Sequence, residues 1–487
     1  MSGRLLGFLL ATVAASAACL TAPACSTTTD ATPPLAEAGI DASLAFGCAD
    51  AIDAVYGDPG PLTGDPGSVL KCAADRVWPV AELEAYARAN MYAYDGKPFT
   101  SGARSYRVVY KTERGGTARA AGYTSALVFV PDNPSPNAPA VVAAHGTAGQ
   151  APSCTPSKHA FDNKTDAYAA MIFPLVGAGY PVIVPDYAGY ANYGAANNPP
   201  SGYAASDDVG KSTLDGLRAL RKLVPGIPSD KSIVVGHSQG GHSALSALAI
   251  AESYGVSVTG VVTYSPLWFN QATWGALLAE SSKYPVATTS FPVAVGIWYH
   301  YSHGELYDGP GHGVDVFAAD KRAAIKAFFD TSCTDDPVKA LGEFPADLYD
   351  PLFTGVIKLP AALGAPCSGE LCEKWVARYA ADRPHLTGKA KDTPQLVLYG
   401  TTDTTIPPDR AMCGFARLAA DGAAAKICVV PDQTHSGIVG ARSAYVNDWI
   451  ANIAQGAPAP APCAADQTSL KATDGTPVTC ATPPPND

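Results

Sequence analysis

Short apolar runs bounded by Gly, Pro, Asn or Asp recur along the chain: SYRVVYKT (105–112), YTSALVFVP (123–131), APAVVAAHG (138–146), PVIVPD (181–186), SIVVGHS (232–238), VTGVVTYSP (258–266), PQLVLYG (394–400) and KICVVPD (426–432). The first two alternate partly between apolar and polar positions. Most of the later ones are continuously apolar and β-branched, the pattern of strands buried on both faces of a parallel sheet. Between them, DDVGKSTLDGLRALRKLV (207–224), GGHSALSALAIAESY (240–254) and GARSAYVNDWIANIA (440–454) carry apolar residues at three- and four-residue spacing, which predicts helices. Strands alternating with helices predict an α/β architecture with a mostly parallel sheet.

The alternation lapses once, over 267–392, a stretch too long for an ordinary crossover. It contains helical segments (RAAIKAFFD, CEKWVARYAAD) and the aromatic residues Trp268, Phe269, Trp274, Trp298, Tyr299 and Tyr301. This predicts a mostly helical cap inserted between the sixth and seventh strands, splitting a core of 105–266 and 393–455. The aromatics would either line a pocket or form the insert's own core.

The ends differ in character. Arg4 is followed by the small and apolar run LLGFLLATVAASAACL (5–20), shorter and richer in Ala than a spanning helix, and residues 1–24 read as a signal peptide. Residues 25–40 read as a flexible linker, 41–104 as an N-terminal extension, and 456–487 as a Pro-rich tail outside the core unless Cys463 and Cys480 pin it. Of 12 cysteines, ten lie beyond residue 30, an even set that suggests up to five disulfides in an exported chain. Sequence proximity suggests Cys413 with Cys428, Cys367 with Cys372, and Cys463 with Cys480. Cys25 is left over: it is either removed with the leader or carries a lipid that would attach the chain to a membrane. A bacterial protein, secreted or anchored in the cell envelope, is the expectation, and the Asn163 sequon then means little.

Composition narrows the class further. At 47% hydrophobic and 16% charged residues the chain is not disordered, and a net charge of −11 without a basic block argues against a nucleic-acid partner.

Gly236-His237-Ser238-Gln239-Gly240 lies between a strand run and a helical run. G-x-S-x-G alone is a weak signal. In this setting it predicts a tight strand-to-helix turn that holds the Ser238 hydroxyl out from the sheet, with the N-terminal amides of the helix facing a reacting carbonyl. A serine nucleophile needs a histidine base and a carboxylate to orient it, in the chain order Ser, Asp or Glu, His. Of nine histidines only His435 lies beyond the last two strand candidates, in DQTHSG before the final helix. Asp403 follows the seventh strand run. Its plainer role would be a turn residue bonding its own backbone. Asp392 and Asp409 are the nearest competitors. His145-Gly146-Thr147-Ala148-Gly149 ends the third strand run, and the amides of Thr147 and Gln239 are the candidate oxyanion donors.

On HGTAG, GYPVIVPDYAGY (179–190), S-x-G-G at the elbow, the long insertion, and GTTDTTIP followed by THSG, the chain resembles the α/β-hydrolase superfamily. Within it the chain is similar to the secretory, Candida-type lipases, over about residues 105–452. The resemblance implies an eight-stranded, mostly parallel sheet, a lid over an acyl pocket, and ester hydrolysis without cofactor, with Ser238, Asp403 and His435 as triad. The elbow departs from the family's frequent Tyr before and Gly after the serine.

HYSHGELYDGPGHG (300–313) gathers His300, His303, Asp308 and His312. Gly304, Gly309, Pro310 and Gly311 argue for a polar loop of the cap over a helical metal site. The leading functional expectation is an exported lipase or esterase acting on a small-molecule or lipid ester. The alternatives are an acyltransferase or peptidase on the same triad, or a non-catalytic surface protein with this fold.

Overall fold

A computed structural model describes residues 44–89, 94–116, 120–161, 167–191, 193, 198–280, 291–334, 338, 341, 347–471 and 475–480. The expected signal peptide, the linker, Cys25 and the Asn163 sequon lie outside the described residues. All eight apolar runs form strands, and one further strand precedes them. In chain order these are β1 (Val69–Trp78), β2 (Ala103–Glu113), β3 (Ala121–Pro131), β4 (Ala140–Ala144), β5 (Val182–Pro185), β6 (Ser232–His237), β7 (Gly260–Tyr264), β8 (Gln395–Gly400) and β9 (Ala425–Val430).

They build one sheet in the order β1-β2-β3-β5-β4-β6-β7-β8-β9. Pairing is antiparallel from β1 to β5 and parallel from β5 through β4, β6, β7 and β8 to β9. β1 lies within the N-terminal extension, 41–104, and joins it to the sheet. Its sequence, VLKCAADRVW, is broken by Lys71, Asp75 and Arg76, and its register with β2 shifts twice. Such charge and irregularity suit an edge strand, and they hide it from a search for apolar runs.

The parallel strands β4 to β8 are buried on both faces, as their largely apolar sequences demand. Successive side chains alternate between two cores: Val141, Val182, Ile233, Val235, Leu396 and Leu398 pack on one face, under the helices Ala167–Gly177 and Ser443–Gln455. On the other face Val142, Ile183, Val234, Val261 and Val397 pack under the helices Ser206–Leu223, Gln239–Ile250 and Pro408–Ala420.

Between β7 and β8 the expected cap is present, with helices Gln271–Glu280, Phe291–His303, Arg322–Thr331, Pro351–Leu363 and Glu370–Ala381 among its described residues. Trp274, Trp298, Tyr299, Trp375 and Tyr379 are fully buried in a cluster of the cap's own, so most of the aromatics make its core. Trp268 instead packs into the sheet's core, edge-on to Phe415.

The cap is strapped to the loop after β4. Cys333 is disulfide-bonded to Cys154 and bridges Gly149, and the Thr334 amide donates to the Ala148 carbonyl at 3.2 Å. A second tie is Asp382, buried at the cap's exit. Its carboxylate accepts from the Ser206 amide (2.9 Å) and from His303 (2.8 Å), and its carbonyl accepts from His242 on the helix Gln239–Ile250 (2.7 Å).

The five disulfides are Cys48–Cys72, Cys154–Cys333, Cys367–Cys372, Cys413–Cys480 and Cys428–Cys463. Proximity chose correctly only for Cys367–Cys372. Cys413 and Cys428 cannot pair because the helix carrying Cys413 covers one face of the sheet while Cys428 points from β9 into the other. The tail returns along β9, where the Val429 amide donates to the Ala465 carbonyl at 3.0 Å, so Cys463 meets Cys428 and Cys480 goes on to Cys413. The tail is therefore pinned, with Leu470 buried against the core.

Candidate active site

Ser238 occupies the turn between β6 and the helix Gln239–Ile250 with φ +56° and ψ −118°, backbone that a non-glycine residue adopts only under constraint. The constraint is visible. The Ser238 amide donates to the Tyr264 carbonyl of β7 at 3.0 Å, and its carbonyl accepts from the Gly241 and Leu267 amides at 2.9 Å each. The flanking glycines let the chain fold back so tightly. A Cβ on Gly240 would lie 1.9 Å from the Ala144 carbonyl oxygen, and one on Gly236 would lie 2.0 Å from the Gly240 carbonyl oxygen. The serine is 5% exposed, so it has little contact with solvent.

Asp403 lies three residues beyond the end of β8, 2% exposed. Its two carboxylate oxygens have separate partners. Oδ1 accepts from the Thr405 and Ile406 amides at 2.9 Å each, closing the turn, and Oδ2 accepts from His435 Nδ1 at 2.8 Å. Burial alone would raise its pKa. The hydrogen bond and charge of His435, with the Ile406 amide, outweigh that and hold the carboxyl below the usual range. Asp392 and Asp409, the competitors, are exposed. The His435 loop is locked to the Asp403 turn because Gly400 allows it close: the Thr402 amide donates to the Gln433 carbonyl at 3.0 Å, where a Cβ on Gly400 would come within 2.2 Å of the same oxygen.

His237, which the sequence reading passed over, ties the elbow to this loop. Its ring lies 4.7 Å from that of His435, and its Nε2 donates to the His435 carbonyl at 2.9 Å. Burial, with the neighbouring His435 charge, pulls its pKa down to about 3, so the ring stays neutral. The only signal for it was its place inside the elbow motif. Asp403 and His435 are thus joined directly and brought up to the serine's neighbour. Among the described residues the Ser238 hydroxyl makes no hydrogen bond to His435, a link that in enzymes without ligand is often long and tightens with substrate.

The loop after β4 lies against the elbow, since a Cβ on Gly146 would sit 3.6 Å from Ser238 Cβ. Its shape is held by His145, whose ring contacts the Asp186 carbonyl at 3.2 Å and whose pKa burial pulls down to about 4. Thr147 follows. Its carbonyl accepts from Thr334 Oγ1 of the cap (3.0 Å), and its hydroxyl lies 2.8 Å from the buried Tyr203 hydroxyl. Gln239 opens the helix after the serine, in the first turn, whose amides have no intrahelical acceptor.

His300 and His303 do not belong to a polar loop. They end the helix Phe291–His303 and are fully buried, because the glycines that were expected to break it act only beyond residue 303. His300 contacts the Tyr379 hydroxyl and the Gly296 carbonyl at 2.7 Å each, and His303 contacts Asp382 and the Tyr299 carbonyl. Among the described residues no three His, Cys, Asp or Glu side chains gather as metal ligands. A cavity of about 560 Å³, lined by Pro131, Ala138, Pro181, Val224 and Ile227, opens at the other edge of the sheet, where β4 and β5 begin. Ser238, Asp403 and His435 all lie at the carboxyl ends of the strands, where open α/β sheets bind ligands.

A family model described as "Alpha/beta hydrolase family" matches residues 141–449. No curated protein sequence matches the chain. Among solved structures, lipase A of Candida antarctica in its closed state is 17% identical, with TM-score 0.57 over 84% of this chain and 88% of that one. The rice cell wall degrading esterase LipA of Xanthomonas oryzae is also 17% identical, with TM-score 0.58 over 79% of this chain and 95% of that one. These likenesses are of fold. With the family matched from β4 into the helix Ser443–Gln455, more than half of the chain, the chain belongs to the alpha/beta hydrolase family.

Proposed function

We propose that the protein is an exported serine hydrolase of carboxylic esters, a lipase or esterase, with Ser238 as nucleophile, His435 as base, Asp403 as orienting acid, and the amides of Thr147 and Gln239 as oxyanion donors. The observation that carries the reading is the 2.8 Å Asp403–His435 hydrogen bond, which commits the Nδ1 proton and leaves Nε2 to accept one, beside a strained serine elbow.

His435 Nε2 takes the Ser238 proton as Oγ attacks the ester carbonyl carbon. The tetrahedral oxyanion forms against the two amides. His435 then passes the proton to the departing alcohol, leaving an acyl-Ser238. Water, deprotonated by the same imidazole, cleaves that ester and restores the serine. Five disulfides support an oxidising destination, in keeping with a signal peptide over 1–24 and either secretion or a lipid on Cys25.

The test is hydrolysis of p-nitrophenyl esters from C2 to C16. Activity should be abolished in Ser238→Ala and by serine-directed organophosphates, and be unaffected by EDTA. Undiminished turnover by Ser238→Ala would overturn the reading.

A further inference from the structure

We infer that His237 is a positioning residue of the triad: the N–H at its Nε2 holds the main chain of His435 and thereby sets that imidazole between Asp403 and the serine. The inference rests on the ester-hydrolase reading and assigns a new part within that site.

The acid alone does not orient the base. Asp403 Oδ2 accepts from His435 Nδ1 at 2.8 Å, and one hydrogen bond fixes a point on a ring while leaving the ring free to pivot about it. The residues before His435 are held by backbone bonds, Gln433 by the Thr402 amide at 3.0 Å and Thr434 by the Ile438 amide at 3.2 Å. At His435 itself the carbonyl is held by a side chain, His237 Nε2, at 2.9 Å.

The direction of that bond follows from the charge of the ring. Burial pulls the His237 pKa down to about 3, so the imidazole is neutral at neutral pH and carries a single N–H. A carbonyl oxygen only accepts, which places the proton on Nε2 and leaves Nδ1 without one. The Nδ1 side meets the loop after β4, where a Cβ on Gly146 would sit 3.4 Å from that nitrogen. The donor is also rigidly mounted: His237 ends β6 and pairs with Tyr264 of β7, so the ring stands on the sheet and not on a loop. One side chain thus spans the serine elbow, the base loop and the loop after β4.

Neutrality matters for the reaction as well as for the bond. The two imidazoles are 4.7 Å apart, and the ionisable groups facing His237 are His435 and Asp403. When His435 takes the serine proton it becomes a cation, which a charged neighbour would oppose and a neutral one does not. His237 fixes the base without touching the ester, so its loss should appear in kcat and not in KM.

The experiment measures kcat and KM on p-nitrophenyl butyrate for His237→Gln, His237→Asn and His237→Phe, with Ser238→Ala alongside and the melting temperature of each. The glutamine amide nitrogen reaches the place of Nε2, the asparagine nitrogen only that of Nδ1, and phenylalanine keeps the ring without a donor. His237→Asn and His237→Phe should lower kcat about 100-fold, the cost of a misplacement of about 1 Å, with KM within about twofold. His237→Gln should stay within about threefold of the parent kcat, because it restores the donor. The far-downfield proton resonance of the Asp403–His435 bond should persist in His237→Gln and be lost in His237→Phe.

A His237→Phe protein with the parent kcat, or a His237→Gln protein as slow as His237→Phe, overturns the proposal. Should neither His237→Phe nor His237→Asn fold, nitrogen NMR of the parent with isotope-labelled histidine decides: a neutral His237 with its proton on Nε2 supports the tie, and a proton on Nδ1 overturns it. If Ser238→Ala is inactive while His237→Phe turns over normally, only the positioning role falls. If Ser238→Ala retains activity, the ester-hydrolase reading falls with it.

Discussion

Replacing Asp403 by Asn tests the candidate site more sharply than removing the side chain. Oδ1 is committed to two backbone donors, Thr405 and Ile406, at 2.9 Å each, so an asparagine must place its carbonyl oxygen there. Its NH₂ group then takes the position of Oδ2, facing His435 Nδ1 at 2.8 Å. Two donors cannot share that line, so the imidazole must move its proton to Nε2, the nitrogen that should receive the serine proton. The expected loss is about 10⁴-fold in kcat, the size found for this wrong-tautomer substitution in serine-histidine-aspartate triads, or about 5.5 kcal/mol of transition-state stabilisation. The fold should survive, since the turn keeps both amide bonds. The assay is steady-state turnover of a p-nitrophenyl ester with the melting temperature measured in parallel. An Asp403→Asn protein retaining more than about one-tenth of the parent rate would refute the argument that Asp403 dictates the tautomer.

Three further outcomes are expected. Asp186, wholly buried, has its pKa raised by burial to about 6 despite hydrogen bonds from Ser125 and Ser157. The fold prefers it protonated, so stability is full below its unfolded value near 4 and declines as pH rises through about 6, by about 3 kcal/mol at most. Asp186→Asn should therefore melt higher than the parent at pH 8 by more than at pH 4; an equal offset at both pH values would remove the linkage. Gly240→Ala should yield little soluble protein or none with activity, because its methyl would sit 1.9 Å from the Ala144 carbonyl oxygen, and a normal melting curve with normal turnover would contradict the geometry. Cys154→Ser/Cys333→Ser, opening a link across 179 residues, should cost about 2–5 kcal/mol in reversible unfolding, and an unchanged midpoint would count against the strap.

What could be read from the chain alone follows from which forces leave a periodic trace. Strands buried on both faces are mostly apolar along their length, so β4 to β8 announce themselves; β1, open to solvent at one edge, carries Lys71 and Arg76 and does not. Ser238, Asp403 and His435 could be singled out because a strand-turn-helix motif and the order of candidate partners constrain sequence locally, and the structure joins the last two by a hydrogen bond. The contacts of His237 and Tyr203 could not be read, because their partners are a carbonyl 198 residues away and a hydroxyl 56 residues away. Disulfide pairing failed for a similar reason: Cys413 and Cys428 are near in sequence yet on opposite faces of one sheet. At His300 and His303 a composition of histidines and glycines suggested a surface loop, while tertiary packing buried both rings against Tyr379 and Asp382.

The tie from Cys333 to Cys154 and the Asp382 anchorage bear on how a substrate could arrive. Joined to the sheet at both chain crossings, riveted covalently beside Thr147 and bolted again at Asp382, the insert cannot swing up as a single plate. On the proposed function, passage to the serine would then be local, one segment of the insert shifting while the tied parts stay fastened. Attempts to widen access by loosening the whole canopy would disturb the wall next to Thr147 before they enlarged the entrance.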